Sequence, residues 1–441
     1  MRFVDGVVHR ISAFPYVGST ATIYETIYSH RLVSSLLVHE LSVTNPSEVP
    51  LILPVSRSGW RGKSSLKSES VRVTGKLQYL LSEGDVRANE GSLVNAFVIA
   101  APVLPAGSAG SDSIEVPPKQ KRSFVFRTFI NYTAPIPQAR VASAVADIRS
   151  SLRETVAKVN EVASPSLLRY HSQVWNNLWK SGFGISYSRA DGALNGDVIN
   201  ATIYYVLSHK TAFSHDLNLL STADFDDSHT SFLLNHPDRC YAGNPTLQAP
   251  NLWSSLQTFD QMQKVVNRWL LTLEKNGCRN LMAAGAEGMM QAIIISFVGM
   301  QFHQSHLEMG IHPKELHRDY FLRRVRYSNR TAINVTMSVG EDNKASIYVV
   351  LDKNSDDGQF FACDAGCLDP PVVLTTTWKQ LPVKITEPLT AILYITPDLQ
   401  HIRELKQAIH VQEVAIAPPH EHQLIAMVNT LNACPTQSYG N

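Results

Sequence analysis

The residue best placed to do chemistry is a lone carboxylate in an apolar stretch, Glu287 within Leu281-Met-Ala-Ala-Gly-Ala-Glu-Gly-Met-Met-Gln-Ala-Ile-Ile-Ile-Ser-Phe-Val-Gly-Met300. Burial raises a carboxyl pKa and suits it to donate a proton. Cleavage of a glycosidic bond needs such an acid, and a hydrolase adds a second carboxylate ~5–9.5 Å away. A helix N-terminal carboxylate or a paired core group is the plainer reading of Glu287. Asp224-Phe-Asp-Asp227, followed by His229, has the groups for a base or a cation site, but equally those of a solvated turn. His303-Gln-Ser-His306 sets two imidazoles one helical turn apart, with His420-Glu-His422 downstream. A metal is compatible with that pattern, although histidines on a polar helix face and in a Pro-rich loop are ordinary. Trp175, Trp179 and Trp253 suit sugar stacking, yet aromatics at helical spacing usually serve the core. No catalytic constellation is complete, and no metal or cofactor is assigned.

Several kinds of element must position these groups. Residues 1–134 read as a β-sandwich: runs such as Ala21-Thr-Ile-Tyr-Glu-Thr-Ile-Tyr28 and Leu93-Val-Asn-Ala-Phe-Val-Ile-Ala100 are broken by Gly, Pro, Asn and Ser. Residues 135–195 read as linker helices. Val141, Val145, Ile148, Leu152, Val156 and Val159 recur at steps of three and four, and Ser164-Pro165 restarts a helix. Residues 196–320 read as a helical body, with helices expected over 197–209, 254–276, 281–309 and 313–320. Residues 321–415 return to strand patterning, with a short helix over 401–408, and 416–441 read as a tail. The stretch 281–300 approaches the ~20 apolar residues of a membrane span, but Gly285, Glu287, Gly288 and Gln291 dilute it. A buried helix is the expectation.

Four Asn-x-Thr sequons address the compartment: Asn131, Asn200, Asn329 and Asn334. Glycan attachment there puts the folded body in the lumen of the secretory pathway. Asn334 lies in Ala332-Ile-Asn-Val-Thr-Met-Ser-Val339, where apolar and polar residues alternate, so it belongs to the watery face of a half-buried strand. The five cysteines agree. Cys363 and Cys367 can close a small disulfide loop with Gly366 at the turn, and Cys240 with Cys278 is a second candidate pair. Cys434 is left over. With 441 residues, 17% charged and a net charge of +1, the chain can bury a large core. The same balance gives no electrostatic reason to bind nucleic acid. No signal peptide opens the sequence, so a fragment or a shortened isoform of a luminal protein is expected.

The order of elements, with His171-Ser-Gln-Val-Trp175-Asn-Asn-Leu-Trp179 and Asn195-Gly-Asp-Val-Ile-Asn-Ala-Thr-Ile-Tyr-Tyr205, resembles the kojibiose/maltose phosphorylase and acid trehalase family. That resemblance implies a multidomain α and β fold: β-sandwich, linker helix, shortened α/α-toroid-like helical body and C-terminal β-domain. The acid of that family lies in a Pro/Trp-rich loop unlike Gly285-Ala-Glu-Gly288, so its role is not carried over. Cys240-Tyr-Ala-Gly-Asn-Pro-Thr-Leu-Gln-Ala-Pro-Asn-Leu-Trp253, Tyr320-Phe-Leu-Arg-Arg-Val-Arg-Tyr327, Cys363-Asp-Ala-Gly-Cys-Leu-Asp-Pro-Pro371 and Glu387-Pro-Leu-Thr-Ala-Ile-Leu-Tyr-Ile395 look like an uncharacterised family of animal single-pass membrane glycoproteins. This second resemblance covers nearly the whole chain. It implies a type I membrane protein of the endoplasmic reticulum or Golgi with its body in the lumen. Further sequence would precede the region seen here, and a hydrophobic anchor would follow it. The expected partner is a luminal protein or a glycan. The competing expectation is a glycoside hydrolase or phosphorylase.

Overall fold

A computed structural model describes residues 3–56, 66–74, 77–88, 92–105, 112–210, 234, 240, 249–254, 256–303, 305–328, 330–353 and 358–420. They fall into two compact units, one ending at Trp179 and the other beginning at Lys180.

The first unit holds β1 (Val8–Tyr16), β2 (Ser19–Ser29), β3 (Leu36–Asn45), β4 (Leu51–Pro54), β5 (Lys67–Thr74), β6 (Leu77–Arg87), β7 (Val94–Pro102), β8 (Ser113–Val116) and β9 (Gln120–Tyr132). Helices α1 (Val141–Asn160) and α2 (Ser164–Lys180) follow. Seven strands form one antiparallel sheet in the order β1-β2-β3-β9-β7-β6-β5, and β4 pairs with β8. Because side chains alternate along a strand, each long strand feeds both faces. Leu36 and Val38 of β3 join Tyr28, Phe129 and Val98 on one face, where Ile148, Leu152, Val156 and Val159 of α1 cover them. Leu41 and Val43 of the same strand join Ala21 and Phe126 on the other face, under Leu51, Ile114 and Val116 of the β4–β8 ribbon. The expected sandwich is therefore built differently: the second layer is a helix on one face and a two-stranded ribbon on the other. Arg127 of β9 ties the layers together. Its guanidinium donates to the carbonyls of Val159 and Val162 at 2.9 Å and to Ser164 Oγ at 2.9 Å, serving the C-terminus of α1 and the start of α2 together.

The second unit begins with β10 (Gly182–Ile185), α3 (Gly196–Ser208), α4 (Phe259–Lys275), α5 (Arg279–Ala283), α6 (Gly285–Ser296), β11 (Met300–Phe302) and β12 (Leu307–Met309). It continues with β13 (Tyr320–Arg326), β14 (Ala332–Val339), β15 (Ala345–Leu351), β16 (Phe360–Asp364), β17 (Val372–Leu374), β18 (Lys379–Pro382), β19 (Lys384–Glu387), β20 (Leu393–Thr396), α7 (Leu399–Ile409) and β21 (Glu413–Ile416). Two sheets run β10-β13-β14-β15-β18 and β11-β12-β20-β16-β17, and β19 pairs with β21. Thr258 caps α4 with a capping box shared with Gln261.

The expected helix over 281–309 is not continuous. Gly285, at φ 75°, separates α5 from α6, and α6 stops at Ser296. Beyond it Met300, Phe302, Leu307 and Met309 are buried while Gln301 and Glu308 are less so. That is the period of a strand, and the segment folds as the β11–β12 hairpin. The helix expected over 313–320 is a 3₁₀ turn, Pro313–Glu315, followed by β13. Hydropathy alone does not separate a long apolar helix from a short helix plus a buried hairpin. Helix α6 is buried nearly all round from Gly288 to Ser296. Among the described residues no helix is long and apolar enough to cross a membrane.

Candidate metal centre

Hairpin β11–β12 closes with the His303 N–H donating to the His306 carbonyl at 2.8 Å. The apolar side chains of its strands turn into the core, so Gln301 and Glu308, direct register partners, share the opposite face. Strand β20 lies next to β12, with Tyr394 opposite Glu308. Helix α7, which follows β20, brings His401 alongside. Four groups from two distant stretches of sequence thus converge. His303 Nε2 lies 3.1 Å from Glu308 Oε1, and His306 Nε2 lies 3.2 Å from Glu308 Oε2. His306 Nδ1 is 2.9 Å from His401 Nε2, whose Nδ1 is 3.6 Å from a Glu404 carboxylate oxygen. The rings of His303, His306 and His401 stack at centroid spacings of 4.7 and 5.0 Å. Gln301 Nε2 donates to Glu308 Oε1.

Burial opposes charge on Glu308, but hydrogen bonds from His306 and Gln301, with the electrostatic pull of nearby His303, outweigh it and hold the carboxyl down at about 2. Glu308 is therefore an anion at any physiological pH, surrounded by imidazoles. His303 Nε2 is buried and, despite its closeness to Glu308, makes no hydrogen bond of acceptable geometry. One ligand atom from each of His303, His306 and Glu308 fits within 4.8 Å of the others, a set able to hold a metal ion. His303 and His306 do not sit one helical turn apart, as their spacing suggests, but at the turn of a hairpin. Glu308 and His401 join the two histidines that the sequence points to; Glu308 has a local signal as a carboxylate close to both. His401 is 95 residues from its partner and left no local signal. His420 lies near His317 instead, ring centroids 6.3 Å apart. His422, Asp224, Asp226, Asp227, His229, Asn329 and Cys434 lie outside the described residues.

Glu287 occupies the first turn of α6, 3.1 Å from Arg326 Nη1. This is the plainer of its two readings, a helix N-terminal carboxylate with a cationic partner. Gln291, one turn on, accepts from the Arg326 N–H at 3.0 Å and donates to its carbonyl at 2.9 Å, stitching α6 to β13. Trp175 and Trp179 are buried in the first unit. Trp253 stacks on Phe297 at 5.4 Å and meets Trp269 edge-on at 5.0 Å. Asn195, part of the toroid-like motif, accepts from Ser188 N and donates to Ser188 O, at 2.9 and 2.8 Å, while Arg318 binds its Oδ1.

The sequons fall in different settings. Asn131 is near the end of β9, half-buried, and its Oδ1 accepts from Tyr132 N. Asn200 is inside α3, with its sequon threonine, Thr202, buried. Asn334 is on the outer side of β14, where its Oδ1 accepts from Arg324 N at 2.8 Å. Arg324, at φ 52°, is the bulge at which β13 shifts register against β14. Cys363 and Cys367 are disulfide-linked, with Cα atoms 5.0 Å apart, and pack with Tyr394 and Ile402 beneath α7. Cys240 and Cys278 are linked too, Cα atoms 4.3 Å apart, which closes a 38-residue separation.

The "Uncharacterized protein KIAA2013 homolog" of Xenopus tropicalis is 30% identical over 430 residues, covering 95% of this chain and 68% of that protein. Its counterpart in Xenopus laevis is 30% identical over 402 residues, covering 90% and 65%. The chain thus spans about two thirds of the length of these relatives. A solved structure titled "Putative kojibiose phosphorylase from human microbiome" aligns over 73% of this chain and 49% of its own at 9% identity. Its TM-score is 0.34, too slight a likeness to carry an argument. The model of a family described as "Uncharacterized conserved protein (DUF2152)" matches residues 1–435. The chain belongs to the DUF2152 family.

Proposed function

We propose that this chain is the luminal body of a secretory-pathway membrane glycoprotein, in the endoplasmic reticulum or Golgi, and that it binds a glycan or a protein without catalysing a reaction. The supporting observation is the pair of disulfides, Cys363–Cys367 and Cys240–Cys278. Cytosolic thiols are kept reduced, whereas disulfides persist in the oxidising lumen. The sequons at Asn131 and Asn334, both on strands with half-buried side chains, support the same compartment. A non-catalytic role agrees with Glu287 being held by Arg326 and with Trp175 and Trp179 being consumed by the core. The toroid-like reading of the helical body rests on the order of elements and on the Asn195–Tyr205 motif.

Treatment of the cell-expressed protein with glycan-removing enzymes tests the compartment, with a gain in gel mobility expected. Thr336→Ala is expected to abolish one glycan while leaving stability almost unchanged. Asn334→Ala is expected to abolish the same glycan and to cost about 1 kcal/mol more, because it also releases Arg324 N from its hydrogen bond. Unchanged mobility of the untreated and treated wild-type protein would remove the luminal reading.

A further inference from the structure

We infer that His303, His306 and Glu308 form a binding site for a divalent transition metal, zinc in the native protein, with His401 as the positioning residue for His306. Two imidazoles and one carboxylate are a recurrent zinc donor set. Two ligands held ~2.0–2.1 Å from a tetrahedral zinc stand roughly 3.3 Å apart. His303 Nε2 and His306 Nε2 each approach a different oxygen of Glu308, at 3.1 and 3.2 Å, and one ligand atom from each of the three residues lies within 4.8 Å of the others, so a small closure of the side chains brings the set to that spacing. His303 Nε2 is buried, faces this gap and has no aligned hydrogen-bond partner, as suits a lone pair meant for a cation.

The surrounding groups do what zinc ligands require of their neighbours. A ligating histidine usually donates its other ring N–H to an acceptor, which fixes the tautomer and turns the lone pair toward the metal. His306 Nδ1 has that partner in His401 Nε2 at 2.9 Å, and Glu404 stands behind His401 at 3.6 Å. Gln301 steadies the carboxylate of Glu308 in the same way. The metal would fasten the β11–β12 turn to α7 through His306 and His401. The same groups also admit a metal-free arrangement, in which His401 donates to His306 and His306 donates to Glu308. The two arrangements make opposite predictions on removal of a ligand. This inference does not depend on the compartment proposed above.

The full chain, stripped with a chelator and with its disulfides intact, is titrated with Zn²⁺ and separately with Co²⁺. One equivalent of Zn²⁺ is expected to bind and to raise the unfolding temperature. Co²⁺ is expected to give visible absorption bands that Zn²⁺ displaces. His306 is buried, so His306→Ala risks misfolding; His303→Ala and Glu308→Gln therefore carry the test. Each is expected to weaken Zn²⁺ binding by about 100-fold or more and to abolish the thermal shift. His401→Ala is expected to weaken it by roughly 10–100-fold while keeping one equivalent and altering the Co²⁺ spectrum. Failure of the wild-type chain to bind Zn²⁺, or binding by His303→Ala and Glu308→Gln equal to wild type, would overturn the inference.

Discussion

Between pH 7 and pH 5 the first unit is expected to lose roughly 3–4 kcal/mol of stability, through two buried histidines. His30 Nδ1 accepts from Val33 N at 3.0 Å, and its Nε2–H therefore donates to the Leu167 carbonyl at 3.1 Å. His171 Nδ1 accepts from Arg31 N at 3.1 Å, and its Nε2–H donates to the Gly6 carbonyl at 3.0 Å. Both rings are locked as neutral Nε2–H tautomers. A second proton on either would face a backbone N–H. Burial pushes His30 down from 6.5 to about 4, against the pull of the Leu167 carbonyl. Burial also pushes His171 from 6.5 to about 3, helped by His30 and Arg31 and opposed by Gly6. Below pH 6.5 the unfolded chain takes up protons that the folded chain refuses. The stabilisation is complete above that pH and falls away as pH drops toward 4. Glu308 acts in a different window: held at about 2, it favours the folded state above the ordinary carboxylate value of 4.5 and loses that effect only in stronger acid. Denaturant unfolding followed by near-ultraviolet circular dichroism at pH 7, 6 and 5 measures the slope. A flat profile would show that neither ring is held neutral, and half the slope that only one is.

Gly288→Ala is expected to cost at least ~3 kcal/mol, the upper range for forcing a methyl into a full core. Gly288 lies where α6 crosses α5 at backbone contact. A β-carbon there would overlap the Leu281 carbonyl oxygen and stand 2.7 Å from Ala284 Cβ. Both obstacles belong to the backbone or its first side-chain atom, so neither can swing away. Gly196→Ala is the control. Nothing lies within 4 Å of the added carbon, and the position is the first of α3. That change is expected to be neutral or to stabilise by a few tenths of a kcal/mol. Equal denaturation midpoints for the two variants would mean that α5 and α6 do not pack this closely.

Periodicity made much of the secondary structure readable. The alternation in 332–339 is the strand β14, and the three- and four-residue steps from Val141 to Val159 are the buried stripe of α1. The spacing Cys363-Asp-Ala-Gly-Cys367 told its pairing because a short loop leaves little choice. What the sequence hid is set by tertiary packing. A single backbone angle at Gly285 splits a helix that hydropathy runs together, and the strand period of 300–309 is too short to stand out beside an apolar run. Nothing near Asn334 announces that it pins the bulge at Arg324. Half of the candidate metal centre was in view at His303 and His306, but their geometry depends on a hairpin, and His401 arrives from α7 through strand pairing alone.

Non-reducing peptide mapping by mass spectrometry, on protein purified from animal cells, tests the luminal assignment most directly. The assignment predicts peptides cross-linked through Cys363–Cys367 and Cys240–Cys278, together with hexose-bearing peptides at Asn131 and Asn334. Alkylated free thiols at all four cysteines, with unmodified asparagines, would contradict it.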